Sequence, residues 1–271
     1  MSAERSQSPA FPTYFPYLPD ATCYLLPKVR AGVPPGAARP VPPKETWISE
    51  KYGKTPEEYL ASGRRDTQQM LDLLRRGGTA PEGLGHILEF GCGDGRMIRC
   101  LEHLAGGREI WGTDIHAGRI VWCKQHLSPP FRFLTTTTVP HLPFEDRYFD
   151  FVYAGSVFTH IDDLADTWFA ELRRVLRPGG KLFVTVHLRN DIALLDGKYR
   201  HAGLARFLRG HPEYERFTRA DFDMFTIGRS SESFVFYDLD YLRKSLEPLF
   251  RVVSVTEEVR LYQNAVLLER V

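Results

Sequence analysis

Three glycines spaced two residues apart follow an apolar run in the stretch ILEFGCGDGRMI at positions 87–98. A glycine turn directly after a buried strand lets a ligand approach the backbone closely, because no side chain stands in the way. A dinucleotide fingerprint has a further glycine three positions after the second one, and Arg96 stands there instead. The spacing of Gly91, Gly93 and Gly95 therefore favours a nucleoside lying across the loop over a pyrophosphate at a helix start.

A carboxylate ends the next apolar run, in the stretch EIWGTDI at positions 109–115. A carboxylate at this place can accept hydrogen bonds from both ribose hydroxyls of a nucleoside. Because a hydrogen bond to a charged group contributes about 1.5–3 kcal/mol, Asp114 alone would supply a large share of nucleoside affinity. The alternative is a glycine turn that serves only packing, next to an unrelated acid.

Short apolar runs alternate with helical stretches from His86 onward, and these elements must position the loop and the acid. Strands that alternate with helices at this length predict right-handed crossovers and a mostly parallel sheet with helices on both faces, the doubly wound α/β class. The predicted strands are 86–90, 109–113, 131–135, 149–154 and 181–187, and the predicted helices lie near 95–105, 116–127 and 163–176.

The two ends of the chain differ from this alternating centre. Ten of the 19 prolines fall within the first 43 residues, among aromatic residues, so residues 1–54 are predicted to form an extended arm or a disordered tail. Thr55, followed by Pro56, is typical of a helix start, and Gly63 is expected to interrupt that helix before a second segment that stops at Gly77.

Beyond residue 187 the helical and strand periodicity fades, and residues 188–236 are predicted to be an insertion, either a lid over the site or a surface elaboration. The remainder, 55–271, forms the main domain. Asp238 is expected to cap a helix that runs through Leu246. Two strands follow closely at 250–256 and 262–269, and this spacing indicates an antiparallel pair at the end of the sheet.

Composition narrows the classes of function. The formal charge of +1 favours neither nucleic acid nor a membrane surface as partner, and no apolar run reaches the roughly 20 residues that cross a bilayer. Cys23, Cys92, Cys100 and Cys123 lack metal-ligand spacing, so no metal site is predicted, and the start of the chain lacks a signal peptide. A cytoplasmic protein is the expectation. The oligomeric state is left open, with a homodimer among the alternatives.

Four ordered stretches resemble the motifs of class I S-adenosylmethionine-dependent methyltransferases, in the broad small-molecule branch of that family. They are ILEFGCGDG, IWGTDI, HLPFEDRYFDFVYAGSVFTHI at 141–161 and ELRRVLRPGGKLFVTVH at 171–187. The resemblance implies a Rossmann-like sheet of seven strands whose last strand is antiparallel. It also implies S-adenosylmethionine as the cofactor.

The resemblance assigns cofactor contacts by position. Glu89 matches the acid that orients the loop and the methionine ammonium, Asp114 matches the ribose acid, and Ile115 matches the apolar residue against the adenine. Thr138 stands where the family often has an acid facing the adenine amine. The remaining cofactor positions implied are Gly91, Cys92, Gly93, Gly95, Val139 and Ala154, with Tyr52, Gly63 and Arg64 as a weaker match to a cofactor lid.

Methyl transfer from a sulfonium is an in-line displacement, so orientation and exclusion of water matter more than a reactive side chain. If the acceptor is a hydroxyl, a general base helps. His160 and then His187 are the candidate bases, and a structural histidine is the alternative for each. Tyr153 and Phe158 are candidates for the wall of the acceptor pocket, or are core residues. Asp162 and Asp163 are expected to cap the next helix.

The leading hypothesis is a methyltransferase acting on oxygen or nitrogen of a small acceptor, such as a secondary metabolite or a sugar-like intermediate. A non-catalytic protein that retains the cofactor fold is one alternative, because the glycine loop and Asp114 indicate cofactor binding and do not by themselves indicate catalysis. A nicotinamide-dependent oxidoreductase shares the sheet and the ribose acid, but Arg96 replaces its third glycine. A macromolecular acceptor such as nucleic acid would call for a basic stripe, which a neutral chain does not indicate.

Overall fold

A computed structural model describes residues 38–47, 52–228 and 233–271 of the chain. Most of the predicted N-terminal arm, together with Cys23, lies outside the described residues. Within the arm, 38–47 contains one short 3-10 turn at Lys44–Thr46. Among the described residues, none of the helices combines the length and the apolar character that a bilayer crossing requires.

The five predicted central strands form a parallel sheet in the order β3-β2-β1-β4-β5. This confirms the doubly wound α/β architecture, with the chain reversing direction across the sheet between β1 and β4. The carboxyl ends of β1, β2 and β4 consequently meet at one edge. The bounds are β1 (His86–Phe90), β2 (Glu109–Asp114), β3 (Arg132–Thr135), β4 (Phe149–Ala154) and β5 (Leu176–Leu188).

The sheet is completed by the expected antiparallel pair, β8 (Phe250–Arg260) and β9 (Gln263–Arg270). β9 runs antiparallel between β5 and β8, which confirms the predicted direction of the last strand. β8 is longer than predicted, because the chain continues past Thr256 through a register shift and pairs again at Arg260 with Gln263. That extension carries Arg260 to the edge where the parallel strands end.

The described sheet has nine strands rather than seven, and the two additional strands lie in the segment predicted as an insertion. β6 (Met224–Ile227) and β7 (Phe234–Tyr237) are antiparallel to each other, and β7 pairs with His187 and Leu188 of β5. β4 and β9 pair with β5 only as far as Val184 and Val186, so the last two residues of β5 extend past both neighbours and pair with β7. The segment also contains α4 (Asn190–Asp196), α5 (Gly203–Gly210) and α6 (Tyr214–Arg219).

The first helix, α1 (Pro56–Arg76), starts as predicted: the side chain of Thr55 accepts a hydrogen bond from the backbone N–H of Glu58 at 3.3 Å. The predicted interruption at Gly63 is wrong, since the helix is continuous. A Cβ on Gly63 would lie 2.4 Å from the carbonyl oxygen of Arg96. The glycine therefore allows α1 to approach the glycine loop closely rather than ending a helix.

Two further expectations are corrected. The helix expected over 95–105 is a 3-10 helix at Ile98–Leu104, because the glycine loop occupies the residues before it with turns. The helix after β4, α3 (Ala165–Val175), begins after Leu164 and has no side-chain cap. Asp162 instead accepts the backbone N–H of its neighbour Asp163, and Leu164, rather than either aspartate, occupies the N-cap position.

Helices cover both faces of the sheet, as the alternating pattern predicts. On one face α3 and α7 (Leu239–Leu246) pack in a core that includes Trp168, Phe169 and Leu246. The side chain of Asp238 caps α7 by accepting the backbone N–H groups of Asp240 and Tyr241. On the other face α1, the 3-10 helix and α2 (Ala117–His126) pack in a second core.

Candidate active site

The glycine loop is tied to the neighbouring strand through its backbone. The N–H groups of Gly91 and Cys92 both donate to the carbonyl oxygen of Thr113, each at 2.8 Å. Gly91, Gly93 and Gly95 have φ values of 78°, 56° and 79°, a left-handed region that costs other residues about 1–2 kcal/mol each. The loop therefore requires glycine at these three positions for backbone reasons.

Close packing adds a second constraint on the loop. A Cβ on Gly91 would lie 2.3 Å from Cγ2 of Val157, and one on Gly95 would lie 2.3 Å from Cδ1 of Leu127. Cys92 and Cys123 are buried nearby, each with its Sγ directed at the carbonyl oxygen of Gly93. The glycine loop is thus tightly packed against its neighbours, and it presents backbone rather than side chains at the glycine positions.

Asp114 is held in a fixed orientation by two backbone donors. One carboxylate oxygen accepts the N–H of Gly93 at 2.8 Å and the other accepts the N–H of His116 at 2.8 Å. The side chain is buried, so its position is determined before any ligand arrives. Each oxygen retains a second lone pair, and the pair of oxygens suits the two hydroxyls of a ribose.

Glu89 lies at the end of β1 below the loop and is buried. Its Oε2 accepts the backbone N–H of Ile98 at 3.0 Å and the hydroxyl of Tyr153 at 3.1 Å. Burial raises the pKa of Glu89 to about 8, against the opposing effect of these hydrogen bonds. A ligand that brings a cationic group next to this carboxyl would favour its ionised form.

The adenine positions implied by the resemblance lie along the ends of β2 and β3. Ile115 and Thr138 are partly buried, and Val139 is 44% exposed, one of the larger exposed apolar side chains. A neighbour that the sequence did not single out is Thr136, whose backbone N–H donates to the carbonyl oxygen of Asp114 at 3.0 Å. Its hydroxyl is buried and has no hydrogen-bond partner among the described residues.

The residues proposed for the acceptor wall lie deeper than that role requires. Tyr153 has no exposed surface and uses its hydroxyl to orient Glu89. Phe158 is equally buried and stacks on Phe169, with ring centroids 4.0 Å apart. Ala154 ends β4 and is buried. The next residue, Gly155, instead lines the cleft that lies beside Glu89 and the glycine loop.

The two candidate bases lie in different surroundings. His160 is exposed, and its Nδ1 lies 2.7 Å from the carbonyl oxygen of Ser233, at the start of β7. Since a carbonyl only accepts, Nδ1 carries the proton, and a neutral ring then has its lone pair on Nε2. His187 is buried between the rings of Phe236 and Tyr262, at centroid distances of 4.9 and 5.5 Å.

The sequence analysis did not assign five of the residues that line the cleft to the site: Asp94, Arg96, Met97, Gly155 and Arg260. The cleft is lined by Tyr52, Glu89, Gly91, Cys92, Asp94, Arg96, Met97, Gly155 and Arg260. Tyr52, one of the three predicted lid residues, is buried and reaches the cleft. Gly63 packs against the loop, and Arg64 is exposed on α1. Arg96 anchors the loop to α1: it donates to Asp66 at 2.7 Å and to Ser62 at 3.2 Å.

Asp94 connects the glycine loop to α1. Its Oδ1 accepts the hydroxyl of Tyr59 at 2.5 Å, and the ring of Tyr59 stacks on Trp47 at 4.6 Å. Its Oδ2 is buried without a hydrogen-bond partner among the described residues, and burial raises the pKa of this carboxyl. An unsatisfied buried acceptor on the loop is a position that a ligand donor would fill.

Part of the chain is similar in sequence to known methyltransferases. Residues 88–184 match a family described as a methyltransferase domain. A malonyl-[acyl-carrier protein] O-methyltransferase of Hahella chejuensis is 25% identical over 151 residues, 55% of this chain and 52% of the relative. A ubiquinone/menaquinone biosynthesis C-methyltransferase of Bordetella avium is 34% identical over 101 residues, 36% of this chain and 39% of the relative. The chain thus spans about half or less of these relatives.

A solved structure shares the fold over most of the chain. The PH0226 protein of Pyrococcus horikoshii superimposes with a TM-score of 0.58 at 21% sequence identity, covering 83% of this chain and 97% of that one. At this level of identity the similarity concerns the fold. The match extends well beyond residues 88–184.

Proposed function

We propose that this chain, whose residues 88–184 match a methyltransferase domain, transfers a methyl group from S-adenosylmethionine to a small-molecule acceptor. The observation that carries the proposal is the Asp114 carboxylate, which is buried and bound to the backbone of Gly93 and His116. A ribose diol is the ligand group that such a pre-oriented carboxylate at a strand end recognises.

The residues present fit the cofactor. Asp114 would hold the ribose, Glu89 the methionine ammonium, and Ile115, Thr138 and Val139 the adenine. The glycine loop, with Cys92 inside it, would support the cofactor through a backbone that a Cβ would obstruct. When bound, the cofactor supplies a methyl group activated on a sulfonium. The protein's task is then to align the acceptor with that methyl and to exclude water.

We propose oxygen or nitrogen as the acceptor atom. The side chains beside Gly155, at the ends of β4, β5 and β9, are polar: Ser156, Thr185 and Gln263 hydrogen-bond to one another at 2.7–2.9 Å. A hydrogen-bonding wall suits a hydroxyl, carboxyl or amine. Both O- and C-methyltransferases occur among the relatives, so this atom is the finer part of the proposal.

His160 is the general base in this proposal. The residue is exposed on the loop that follows β4, and its bond to Ser233 sets the tautomer that leaves Nε2 as the proton acceptor. Val235 also bonds to this loop, donating its N–H to the carbonyl oxygen of Thr159 at 3.0 Å. His187, buried in its aromatic stack, is better suited to packing.

The proposal is tested by calorimetry with S-adenosylhomocysteine, followed by transfer of radiolabelled methyl from S-adenosylmethionine to a panel of small hydroxyl, carboxyl and amine compounds. We expect binding to the wild-type chain and labelled product with part of the panel. Absence of S-adenosylhomocysteine binding would contradict the cofactor assignment. Tight binding without any labelled product would favour a non-catalytic cofactor-binding protein, and quenching by NADH in a fluorescence titration would favour an oxidoreductase.

A further inference from the structure

We propose that the acceptor carries a carboxylate, and that Arg260 binds it in a subsite formed with Gln263 beside Gly155. This inference rests on the proposed methyl transfer and names the class of its substrate. It comes from a buried guanidinium in the cleft that the cofactor contacts described above do not use.

Arg260 reaches the cleft from the last strand pair. It is the final residue of β8 and is the register partner of Gln263, the first residue of β9. Its Nη1 lies 2.4 Å from the position that a Cβ on Gly155 would occupy. Since Gly155 directly follows β4, the guanidinium lies between the cofactor half of the cleft, at β1 and β2, and the half formed by β5 and β9.

The charges around Arg260 leave room for one more anion. Its side chain is 10% exposed, and its Nε lies 3.1 Å from the Oδ2 of Asp66. That same oxygen accepts the hydrogen bond of Arg96 at 2.7 Å, whereas Nε of Arg260 makes no hydrogen bond to a described residue. The ring of Tyr52 lies 4.2 Å from the Arg96 guanidinium and 4.9 Å from that of Arg260. The Asp66 carboxylate therefore faces two guanidinium groups, and the charge of Glu89, whose pKa burial raises to about 8, also acts on both of them.

Burying a guanidinium that shares its carboxylate with a second guanidinium is costly, and burial accordingly lowers the pKa of Arg260. Such a group is usually found where an anion completes the site, and the planar fork of arginine matches a carboxylate in particular. The missing partner is thus an anion that arrives with a ligand.

Gln263 supplies a second donor. Its Oε1 accepts the hydroxyls of Ser156 at 2.7 Å and Thr185 at 2.9 Å. Because the oxygen is used in this way, the amide orientation is fixed and its NH₂ remains a donor group. Ser156 adopts a φ of 61°, a strained conformation for serine, and its N–H donates to Thr185 at 2.7 Å. Strained backbone of this kind is often found at functional sites.

The acceptor is a better occupant than the cofactor. The proposed cofactor residues lie on β1, β2 and the loops after β1, β2 and β3, whereas Arg260, Gln263 and Thr185 belong to β8, β9 and β5 on the other side of β4. A carboxylate held there would fix the acceptor next to the expected methyl position. The carboxylate could itself be the methylated group, or could anchor a nearby hydroxyl or amine.

The test compares Arg260→Gln, Arg260→Lys and the wild type, with Arg251→Gln as matched control, because Arg251 lies on the same strand with its side chain 59% exposed. Calorimetry measures S-adenosylhomocysteine affinity for each variant. Ligand-observed NMR then measures, on each S-adenosylhomocysteine complex, the binding of benzoate and malonate against their neutral isosteres benzamide and malonamide.

We expect the acids to bind the wild-type complex at least about tenfold more tightly than the amides. Arg260→Gln should abolish that preference, Arg260→Lys should retain part of it, and Arg251→Gln should leave it unchanged. S-adenosylhomocysteine affinity should stay within about threefold throughout.

Equal binding of acids and amides to the wild-type complex, including no binding of either, would overturn the proposal. A loss of S-adenosylhomocysteine affinity in Arg260→Gln would also overturn it, since it would assign Arg260 to the carboxylate of the cofactor. Failure of the wild-type chain to bind S-adenosylhomocysteine at all is a different result, which would contradict the proposed function itself.

Discussion

The carboxylate of Asp114 accepts a hydrogen bond from the backbone N–H of Gly93 at 2.8 Å. This bond links the side chain at the end of β2 to the middle of the glycine loop. The same carboxylate accepts the N–H of His116 at the start of α2. The acid proposed to bind the ribose therefore also holds the shape of the glycine loop. Variants at this position should change binding and local structure together.

Replacing Asp114 with alanine should weaken S-adenosylhomocysteine binding by about tenfold to a hundredfold, equivalent to about 1.4–2.7 kcal/mol. Asp114→Asn, which keeps one acceptor oxygen for the backbone, should lose less. Calorimetry gives the affinities, and thermal unfolding shows how much of the loss comes from the loop. Asp240→Ala is the control, because that side chain is 92% exposed. An S-adenosylhomocysteine affinity in Asp114→Ala equal to that of the control would contradict the proposal that Asp114 binds the ribose.

The buried carboxyl of Glu89 should make the empty protein less stable as the pH rises. Its pKa is raised to about 8 from an ordinary 4.5, so its contribution is fully present below pH 4.5 and is lost as the pH rises through 8. Over that window the wild-type unfolding free energy should fall relative to Glu89→Gln by at most about 1.4 kcal/mol per pH unit. Urea unfolding at several pH values measures this difference.

Asp191 is a second buried carboxyl whose pKa is raised, to about 7, by burial. It contributes with the same sign, but it is present in both the wild type and Glu89→Gln and cancels in the comparison. Parallel stability curves for the two proteins would show that Glu89 is ionised in the empty fold and would contradict the prediction.

Gly91→Ala combines a backbone effect with a packing effect. The left-handed φ of 78° should cost about 1–2 kcal/mol, and the approach of 2.3 Å to Val157 Cγ2 should add about 1–3 kcal/mol of overpacking. Adding Val157→Ala removes the clashing atom, so the double variant should recover the packing part only. Gly106→Ala, where a Cβ meets no atom within 4 Å, is the control. Full recovery in the double variant would show that φ strain is unimportant here.

Tyr59→Phe removes the hydroxyl that donates to Asp94. A buried acceptor then loses its partner, which should cost about 1–3 kcal/mol of unfolding free energy and raise the pKa of Asp94 further. S-adenosylhomocysteine affinity should fall as well, because Asp94 lines the cleft. Tyr148→Phe, which loses a hydroxyl bound to Glu109 outside the cleft, should leave that affinity unchanged. Equal S-adenosylhomocysteine affinities in the two variants would show that Asp94 does not contribute to binding.

His160→Ala should lower kcat by about a hundredfold or more if the residue removes a proton during transfer. The acid limb of the pH–rate profile should disappear together with the base, while S-adenosylhomocysteine affinity is retained. His103→Ala is the control, because His103 is an exposed residue of the 3-10 helix and does not line the cleft. A lowered melting temperature with unchanged kcat would instead indicate that His160 serves to hold Ser233 and the start of β7.

The parts of the site that are local in sequence could be predicted. The glycine loop, Asp114 at the end of β2, and the caps Thr55 and Asp238 each depend on a few consecutive residues, and short-range backbone chemistry determines them. The antiparallel last strand followed from the close spacing of two strands. The four motifs, in their order along the chain, predicted the match of residues 88–184 to a methyltransferase domain.

Features that depend on distant contacts were decided only by the tertiary structure. Gly63 resembles a helix break in sequence, yet it serves close packing of α1 on the carbonyl of Arg96. Of the two additional strands, β7 pairs with the last two residues of β5, which extend past both β4 and β9, and β6 pairs with β7.

Arg260 has no local signature at all. A register shift in β8 and the turn to Gln263 carry it to Gly155, where it shares Asp66 with Arg96. Sequence by itself predicted where a nucleoside cofactor would bind, because the glycine loop and Asp114 belong to short backbone segments whose geometry depends on neighbouring residues. The charge of the half of the cleft formed by β5 and β9, where the acceptor is proposed to bind, depends on side chains such as Arg260 and Asp66. Only the sheet order and the packing of α1 bring these side chains together.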